Sequence, residues 1–262
     1  MTRSLGRGLE IVEILARSDI PCGVSDLARY LGIDKATVHR LLKVLDMHGY
    51  VQRDPLTRRY SCSSRILELS AQLLAHMSLP LQAHPYLKEL VDRTGLSAHL
   101  AVLARSTLRW AVYVADERSA SHVQVDVRVG QMAPTHCTAV GKALIAYATG
   151  PSLQTLAQRG ALRKFTAATI ADYGELVSHL RKVRGRGYAI DDEEFHVNIR
   201  CVGAAVWDHD RQVVASIGVS GVVKELRKES IPKIATVVTE VADRLSRAIG
   251  FSQVTPSASA VV

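Results

Sequence analysis

The sequence contains few of the features that mark membrane, secreted or zinc-binding proteins. No segment approaches the ~18 consecutive apolar residues of a transmembrane helix, and the first residues, MTRSLGRGLE, lack the apolar core of a signal peptide. The four cysteines are scattered without CxxC spacing, which argues against a zinc site or a disulfide framework. We therefore expect a cytoplasmic protein that has no membrane partner and needs neither a metal nor a cofactor.

What the chain does contain is an excess of positive charge. Its 33 lysines and arginines exceed its 25 acidic residues, so the net charge is +8 and the pI is near 9.5. Such a charge suits a polyanionic partner, although membrane surfaces attract it as well. The length of 262 residues is sufficient for two modest domains, each with its own core.

The segment from Val24 to Met47 predicts two short helices separated by a turn at Gly32. Both carry apolar residues at i, i+3, i+4 and i+7, which form one face of an α-helix. These apolar residues are Val24, Leu27, Ala28 and Leu31 in the first helix and Val38, Leu41, Leu42 and Leu45 in the second. Two such helices form a helix-turn-helix, whose second helix enters the major groove of DNA. A helical hairpin with a solvated basic face is the alternative.

The residues after this helix pair favour the DNA-binding alternative. Strands are predicted at 50–53 and 58–61 around a turn that contains Pro55, and together they form a β-hairpin wing. From Lys35 to Arg65 there are seven basic and two acidic residues, a net charge of +5. We expect the contacts to double-stranded DNA to come from Lys35, Ala36, Thr37, His39, Arg40, Lys43, Arg53, Arg58 and Arg59. Lys43 is expected to meet phosphate, whereas His39 either reads a base edge or is simply exposed.

Three further helices are predicted outside this segment in the first third of the chain. A helix at 4–16 has Leu5, Leu9, Val12 and Leu15 as its inward stripe, with Ile11 alongside. A second helix, at 64–77, is apolar on more than one face, so it packs either against a second subunit or against its own C-terminal domain. Pro80 and Pro85 are expected to break the chain before a third helix at 86–94.

From Ser97 onward the pattern becomes a mixture of strands and helices. Two strands are predicted within 97–117 around a turn at 105–107, followed by strands at 122–130, 187–191, 201–207 and 213–220. Helices are predicted within 138–147 and at 152–159, 172–186 and 231–249. Helices interleaved with antiparallel strands indicate an α+β fold. The predicted organisation is a winged helix-turn-helix domain at 1–63, a linker helix at 64–78, a second domain at 79–250 and a disordered tail at 251–262.

Five collinear segments together resemble the IclR family of bacterial transcriptional regulators. They are IDKATVHRLLKVLDMHGYVQRD, THCTAVGKALIAY, RGYAIDDEEFHVNIRCVGAAVWD and ASIGVSG, together with the linker between the first two. The resemblance implies an N-terminal winged helix-turn-helix and a C-terminal GAF-like effector-binding domain. It also implies a homodimer or homotetramer that regulates a catabolic operon at a pseudo-palindromic operator, in response to a small organic acid or an aromatic compound.

The resemblance further implies an effector site in the second domain. By their match to the family pattern, the expected contacts are Ala139, Val140, Asp191, Cys201 and Ser220, with apolar walls at Val125, Ala133 and Ile199. The segment from Thr138 starts a helix, whose free backbone N–H groups suit a carboxylate. The chain departs from the family at two positions: Gly218 replaces a frequent serine, and Asn198 replaces a usual glycine.

Two other classes of function are compatible with parts of the sequence. An enzyme would use His136, Cys137 or Cys201 as a nucleophile or base, but no third group that would orient them is evident. A constitutive DNA-binding protein would have no effector, and Cys201 would then be a small core residue. The resemblance favours the ligand-responsive regulator over both.

Overall fold

The computed structural model describes residues 3–76, 78–104, 108–120, 127–148, 150–158 and 162–251. The chain divides into two compact units, residues 1–77 and residues 78–262. Within the described residues, no helix is long and apolar enough to span a lipid bilayer.

The N-terminal unit is a winged helix-turn-helix. Its elements are α1 (Arg3–Arg17), α2 (Val24–Leu31), α3 (Lys35–Met47), β1 (Val51–Arg53), β2 (Tyr60–Cys62) and α4 (Arg65–His76). Strands β1 and β2 pair antiparallel, with Gln52 opposite Ser61, and form the wing. The first three helices share one core. Each contributes at least one fully buried residue: Ile11 from α1, Leu27 from α2, and Val38 and Leu42 from α3. The helix-turn-helix and the wing predicted from the sequence are confirmed.

Two backbone features fix the direction in which α3 begins. Gly32 ends α2 with φ +63°, in the left-handed region that glycine occupies without a steric cost. Asp34 then caps α3, because its carboxylate accepts the backbone N–H of Thr37 at 2.8 Å.

The predicted inward stripe of α1 is wrong in its first half. Leu5 and Leu9 are 65% and 57% exposed, whereas Ile11 and Leu15 are buried. Ile11 and Leu15 lie four residues apart and therefore share one face, and Leu5 and Leu9 fall more than about 100° around the helix from it. The sequence pattern alone allowed either face to be the inner one.

The C-terminal unit is built on a six-stranded antiparallel sheet with the strand order β5-β4-β3-β8-β7-β6. Its strands are β3 (Ser97–Leu103), β4 (Trp110–Glu117), β5 (Met132–Pro134), β6 (Ala189–Asp192), β7 (Ile199–Trp207) and β8 (Val213–Val222). Its helices are α5 (Ser78–Thr94), α6 (Ala139–Ile145), α7 (Gly150–Gln158), α8 (Tyr173–Arg186) and α9 (Ile231–Ala248). Helices α5 and α9 pack together and against the sheet, and α6 packs on β7 and β8. The predicted α+β class is confirmed.

Two local predictions in this unit are wrong. Helix α5 begins at Ser78 and not at residue 86, so neither predicted proline breaks the chain. Pro80 lies in the first turn, where a missing N–H costs no helical hydrogen bond, and Pro85 lies inside the helix. Residues 121–126 of the strand predicted at 122–130 lie outside the described residues, and residues 127–130 are not a strand. They turn at Gly130, which has φ +87°, so Val127 is buried while Val129 is exposed.

Candidate functional site

The exposed side of α3 carries most of the residues predicted to contact DNA. Lys35, Ala36, His39, Arg40 and Lys43 are all exposed. Their side chains form a basic surface opposite the apolar face of the helix, where they are free to reach a polyanion.

Thr37 differs from the other predicted residues of α3, because it is half-buried. Its hydroxyl donates to the Asp34 carboxylate at 2.7 Å and accepts from Arg40 at 3.4 Å. The Asp34 pKa is held below its usual value by these hydrogen bonds from Thr37. Thr37 therefore stabilises the start of α3 and orients Arg40.

The three wing arginines are exposed, but they have different surroundings. Arg53 lies 5.8 Å from the Tyr60 ring centroid, and Arg58 adopts φ +56° at the tip of the wing. The Arg59 guanidinium donates to the Pro21 carbonyl at 2.9 Å and lies 3.5 Å from the Asp26 carboxylate. Arg59 therefore ties the wing to the start of α2, in addition to any contact with phosphate.

A cavity in the C-terminal unit gathers most of the residues predicted to bind an effector. It contains about 520 Å³ of space not filled by protein atoms, part of it solvent at the mouth. The predicted residues that line it are Thr138, Ala139, Val140, Asp191, Ile199, Cys201 and Ser220. They come from α6, β6, β7 and β8, so only the folded sheet brings them together.

Two of the predicted effector residues do not line this cavity in the described structure. Ala133 lies on β5 in the apolar core beside the cavity, where it is fully buried with Tyr113, Val127 and Val140. It therefore supports the wall from behind. Val125 lies outside the described residues.

Several lining residues were not predicted from the sequence. They are Tyr113, Val127, Gln131, Phe195, His196, Val202 and Val219. Phe195 and His196 directly follow the acidic loop, and an aromatic pair in a polar loop was a signal that could have identified them. Tyr113 had no such signal, because an aromatic residue in a strand is typical of any core.

Asp191 is the buried carboxylate of the cavity. Its Oδ1 accepts the backbone N–H groups of Glu194 at 2.8 Å and Phe195 at 3.4 Å. Burial raises the pKa of Asp191 to about 7, although Lys142 opposes this shift. A carboxyl group with this pKa can donate as well as accept a hydrogen bond near neutral pH.

Cys201 and Ser220 are directly opposite each other on β7 and β8. The Ser220 hydroxyl hydrogen-bonds to the Cys201 thiol, but burial still raises the pKa of Cys201 far above its usual value. The Cys137 thiol is shifted in the same direction by burial. Both thiols therefore stay protonated, which is the reverse of what a cysteine nucleophile requires.

His136 also lacks the geometry of a catalytic base. Its Nε2 lies 3.0 Å from the carbonyl oxygen of Arg163, so this nitrogen is already engaged with the backbone. Burial lowers the pKa of His136. The residue next to it, Cys137, is fully buried and protonated.

The first turn of α6 presents backbone donors to the cavity. Thr138 caps the helix: its hydroxyl accepts from Gly141 N at 3.2 Å and donates to the Pro134 carbonyl at 2.7 Å. The N–H groups of Ala139 and Val140 donate to no acceptor among the residues that the structure describes. Thr138 thus has a structural task, and the two following N–H groups are available to a ligand.

Glycines bring α6 unusually close to the sheet. A Cβ at Gly203 would lie 3.1 Å from the Ala139 carbonyl carbon. A Cβ at Gly218 would lie 2.5 Å from the Val202 carbonyl oxygen and 3.3 Å from Val140 Cγ1. Gly218, the first departure from the family pattern, therefore leaves no space for a serine side chain on this backbone.

The second departure, Asn198, lies in the left-handed region at φ +64°. Asparagine is the residue that most readily replaces glycine there, because its side chain tolerates this conformation. Its N–H donates to the Glu193 carboxylate at 2.9 Å, so the turn that precedes Ile199 is retained without glycine.

A buried ion pair holds two walls of the cavity together. Lys142 on α6 is fully buried, and its ammonium pairs with Glu194, which is only 6% exposed. Burial raises the pKa of Glu194, and the charge of Lys142 counteracts this shift. Because α6 carries Ala139 and Val140 while the loop of Glu194 follows Asp191, this pair fixes the distance between those lining residues.

The chain matches two family models that together cover most of its length. Residues 4–55 match the IclR helix-turn-helix domain, and residues 71–247 match the model described as the bacterial transcriptional regulator IclR C-terminal region. The chain belongs to the IclR family. It is therefore a DNA-binding transcriptional regulator with a C-terminal effector domain.

Individual members of the IclR family resemble the chain along nearly its whole length. It is 30% identical to the HTH-type transcriptional regulator XynR of Escherichia coli, over 95% of this chain and 98% of that protein. It is also 30% identical to the glycerol operon regulatory protein of Streptomyces coelicolor, over 95% and 96% of the two chains. The crystal structure of Thermotoga maritima IclR is similar with a TM-score of 0.71 and 27% identity, covering 96% of this chain and 100% of that one. These relatives are regulators, and none is named as an enzyme.

Proposed function

We propose that this IclR-family chain is a cytoplasmic, ligand-responsive regulator of a catabolic operon, and that its effector is a small organic acid or aromatic compound bound in the cavity. The observation that carries the proposal is the convergence of seven expected effector residues on one cavity. They belong to helix α6 and to three consecutive strands, β6, β7 and β8, that follow it after two further helices. One relative is named a glycerol operon regulatory protein, so a protein 30% identical to this one regulates an operon named for a small metabolite.

The polar groups of the cavity support an acid as the effector. The unpaired N–H groups of Ala139 and Val140 and the hydroxyl of Ser220 can donate to a carboxylate. With a pKa of about 7, Asp191 is protonated in about half of the molecules at pH 7. It therefore repels that carboxylate less than a fully ionised residue would. Val140, Ile199 and other apolar residues provide walls for the remainder of the ligand.

The exposed basic residues of α3 and the wing support binding to an operator. Lys35, His39, Arg40 and Lys43 project from the helix that enters the major groove in this motif. Arg53 and Arg58 would meet the phosphate backbone from the wing. We assign Arg59 two roles, a phosphate contact and a structural tie between the wing and α2, because its guanidinium already contacts Pro21 and Asp26.

A homodimer or homotetramer is part of the same proposal. Leu5 and Leu9 lie one helical turn apart and form an exposed apolar strip on α1. A second copy of the chain would cover such a strip symmetrically. Two copies would then bind the two halves of a pseudo-palindromic operator.

The test is a binding assay between the purified full-length protein and DNA from upstream of its own gene, at several salt concentrations. A panel of small aliphatic and aromatic carboxylic acids is added in turn. We expect specific binding with a steep salt dependence, and we expect one acid to change the affinity. The variant Ser220→Ala should respond less to that acid and keep the ligand-free affinity for DNA.

Three outcomes would contradict parts of the proposal. Specific binding that no compound alters would indicate a constitutive regulator. A response that is identical in the wild type and Ser220→Ala would place the effector outside the cavity. If neither the upstream DNA nor a genome-wide selection gave a preferred site, the proposed operator-binding surface would be wrong.

A further inference from the structure

His99 on β3 lies on the face of the sheet that lines the cavity. In the ladder between β3 and β8, Ser97 pairs with Ser220 and His99 pairs with Gly218. Directly paired residues point to the same face, and Ser220 lines the cavity. His99 and Ser220 are thus diagonal neighbours, a relation in which the backbone positions lie about 7–8 Å apart. That separation suits two polar groups of one small ligand.

Residues that line the cavity neighbour the His99 ring. Tyr113, which lines the cavity from β4, makes an edge-to-face contact with it at a centroid distance of 5.7 Å. Val140, from α6, lies over Gly218, the cross-strand partner of His99. His99 therefore neighbours the cavity residues Tyr113 and Ser220 and the partner strand under Val140, although it does not itself line the cavity in the described structure.

The imidazole of His99 is buried without a hydrogen-bond partner. The residue is 3% exposed, and neither Nδ1 nor Nε2 has a partner among the described residues. Buried polar groups in native proteins are nearly always hydrogen-bonded, because an unpaired one costs free energy. An imidazole with two unpaired nitrogens beside a ligand cavity is thus a candidate for a ligand contact.

The surroundings of His99 define the chemistry of that contact. Burial lowers the pKa of His99 to about 4, so the ring is neutral at pH 7 and offers one N–H donor and one acceptor nitrogen. The neighbours Gly218, Val140 and Tyr113 supply no positive charge. The cross-strand partner of His99 on β4 is Asp116, an acidic residue whose carboxylate lies 3.6 Å from the Arg118 guanidinium. A carboxylate beside the ring would lose its hydration without gaining a counter-ion. A hydroxyl or carbonyl oxygen carries no charge, so it can be buried beside the ring without a counter-ion.

We propose that His99 determines effector specificity by hydrogen bonding to an uncharged hydroxyl or carbonyl oxygen of a hydroxy or oxo carboxylic acid. This inference rests on the proposed function, in which the effector occupies this cavity. The carboxylate of the same ligand faces Ser220. His99 thereby distinguishes acids that carry a second polar group from acids that do not.

The experiment compares matched acids that differ by one hydroxyl group. Isothermal titration of the full-length protein is performed with benzoate against 4-hydroxybenzoate and with propanoate against lactate. In the wild type, the hydroxylated member of one pair is expected to bind about tenfold more tightly. In His99→Phe, which keeps a planar ring and removes both nitrogens, this preference should disappear. His99→Gln restores a donor and an acceptor, and it should recover part of the preference.

A stability measurement separates a ligand contact from a packing role. His99→Phe removes two unpaired buried nitrogens, so the ligand-free variant should melt at the same temperature as the wild type or higher. If His99 served only to pack against Tyr113, the ring of phenylalanine would preserve both the packing and the preference for the hydroxylated acid. Should His99→Phe fail to fold, His99→Leu provides the same comparison of acids.

The outcomes distinguish this inference from the function on which it rests. If Ser220→Ala weakens binding of both members of a pair while His99→Phe retains the wild-type preference, the inference is wrong and the effector cavity stands. The inference is also wrong if the wild type binds both members equally. If the wild type binds none of the four acids and no acid of the wider panel, the proposed effector site is wrong and the inference with it.

Discussion

The two units of this protein place their polar groups in opposite ways. In the N-terminal unit, the residues proposed to contact DNA lie within 25 positions of one another, between Lys35 and Arg59, and all but Thr37 are exposed. In the C-terminal unit, three polar residues of the cavity, Thr138, Asp191 and Ser220, are buried, and they come from the start of α6 and from strands β6 and β8. A rigid polyanion is read by an outer surface, whereas a small ligand is bound where water has been removed.

The carboxylates of the two units show the same contrast. Hydrogen bonds from backbone and side-chain donors lower the pKa values of Asp34 and Asp54, both at the surface of the N-terminal unit. Burial raises the pKa values of Asp191 and Glu194 in the C-terminal unit. Hydrogen bonding favours the charged form of the two exposed acids, whereas burial disfavours the charged form of the two buried ones, so the two units should respond to pH in opposite directions.

The largest expected effect follows from breaking the buried ion pair. Lys142→Met leaves Glu194 buried without its counter-ion, and the free energy of unfolding of the C-terminal unit should fall by about 3–5 kcal/mol. Both tryptophans, Trp110 and Trp207, lie in that unit, so their fluorescence during urea unfolding reports on it alone.

The double variant Lys142→Met with Glu194→Gln is the control for this prediction. It removes both charges, so it should recover a large part of the lost stability. An unchanged unfolding midpoint in Lys142→Met would show that the pair does not hold α6 to the acidic loop.

The next largest effect is the pH dependence of Asp191. Its pKa is about 7 in the folded protein, compared with an ordinary value of 3.8, so the folded state retains the proton over a range in which the unfolded chain loses it. The contribution is therefore complete below about pH 4 and is lost as the pH rises to 7, by up to about 4 kcal/mol. Asp191→Asn should remove this slope, as measured by tryptophan fluorescence in urea at several pH values.

The opposite slope is expected in the N-terminal unit. Asp34 and Asp54 have lowered pKa values, so their contribution is present above pH 3.8 and is lost as the pH falls. Hydrogen exchange measured by mass spectrometry on the intact chain resolves peptides of each unit. Equal pH responses of α3 and β7 would argue against the contrast between surface and buried carboxylates.

A smaller effect is expected from restoring the serine that is frequent in the family at position 218. Its Cβ would meet the carbonyl oxygen of Val202 and the Cα of Gly203, so the backbones of β7 and β8 must shift. We expect Gly218→Ser to lower the free energy of unfolding by about 1–3 kcal/mol. Gly185→Ser is the control, since nothing lies within 4 Å of a Cβ there. Equal stability of the two variants would show that this strand pair adapts without strain.

The smallest effect on stability, but a clear effect on function, is expected at Arg40. It is exposed, so Arg40→Ala should leave the unfolding midpoint unchanged and weaken operator binding about tenfold. The matched control is Arg17→Ala, because Arg17 is exposed on α1 outside the proposed interface. If both variants bind the operator as the wild type does, α3 does not contact DNA through this residue.

The fold was largely predictable because its elements have strong local patterns. The helix-turn-helix, the wing, and helices α6 to α9 follow from apolar periodicity and from capping residues such as Asp34 and Asp172. Where a pattern allowed two interpretations, the sequence misled. Leu5 and Leu9 have the same helical spacing as Ile11 and Leu15, and Val127 has the same alternation as Val129. Only packing and the turn at Gly130 distinguished them.

The residues that line the cavity were predictable only through resemblance to a family. Nothing local in Asp191, Cys201 or Ser220 indicates that they line one cavity, because strand pairing alone places them side by side. Tyr113 and His99 carried no signal of either kind, since their positions depend on the register of β3 against its two neighbours, β4 and β8.

The sequence by itself determined the class of each unit, the basic surface of α3 and the caps that fix its direction, because those properties depend on residues within a few turns of one another. Only the tertiary structure decided which strand neighbours share the cavity, that Lys142 is buried against Glu194, and that Gly218 has no space for a side chain. These features depend on non-local pairing and on the loss of water, and neither is encoded in any short stretch of the chain.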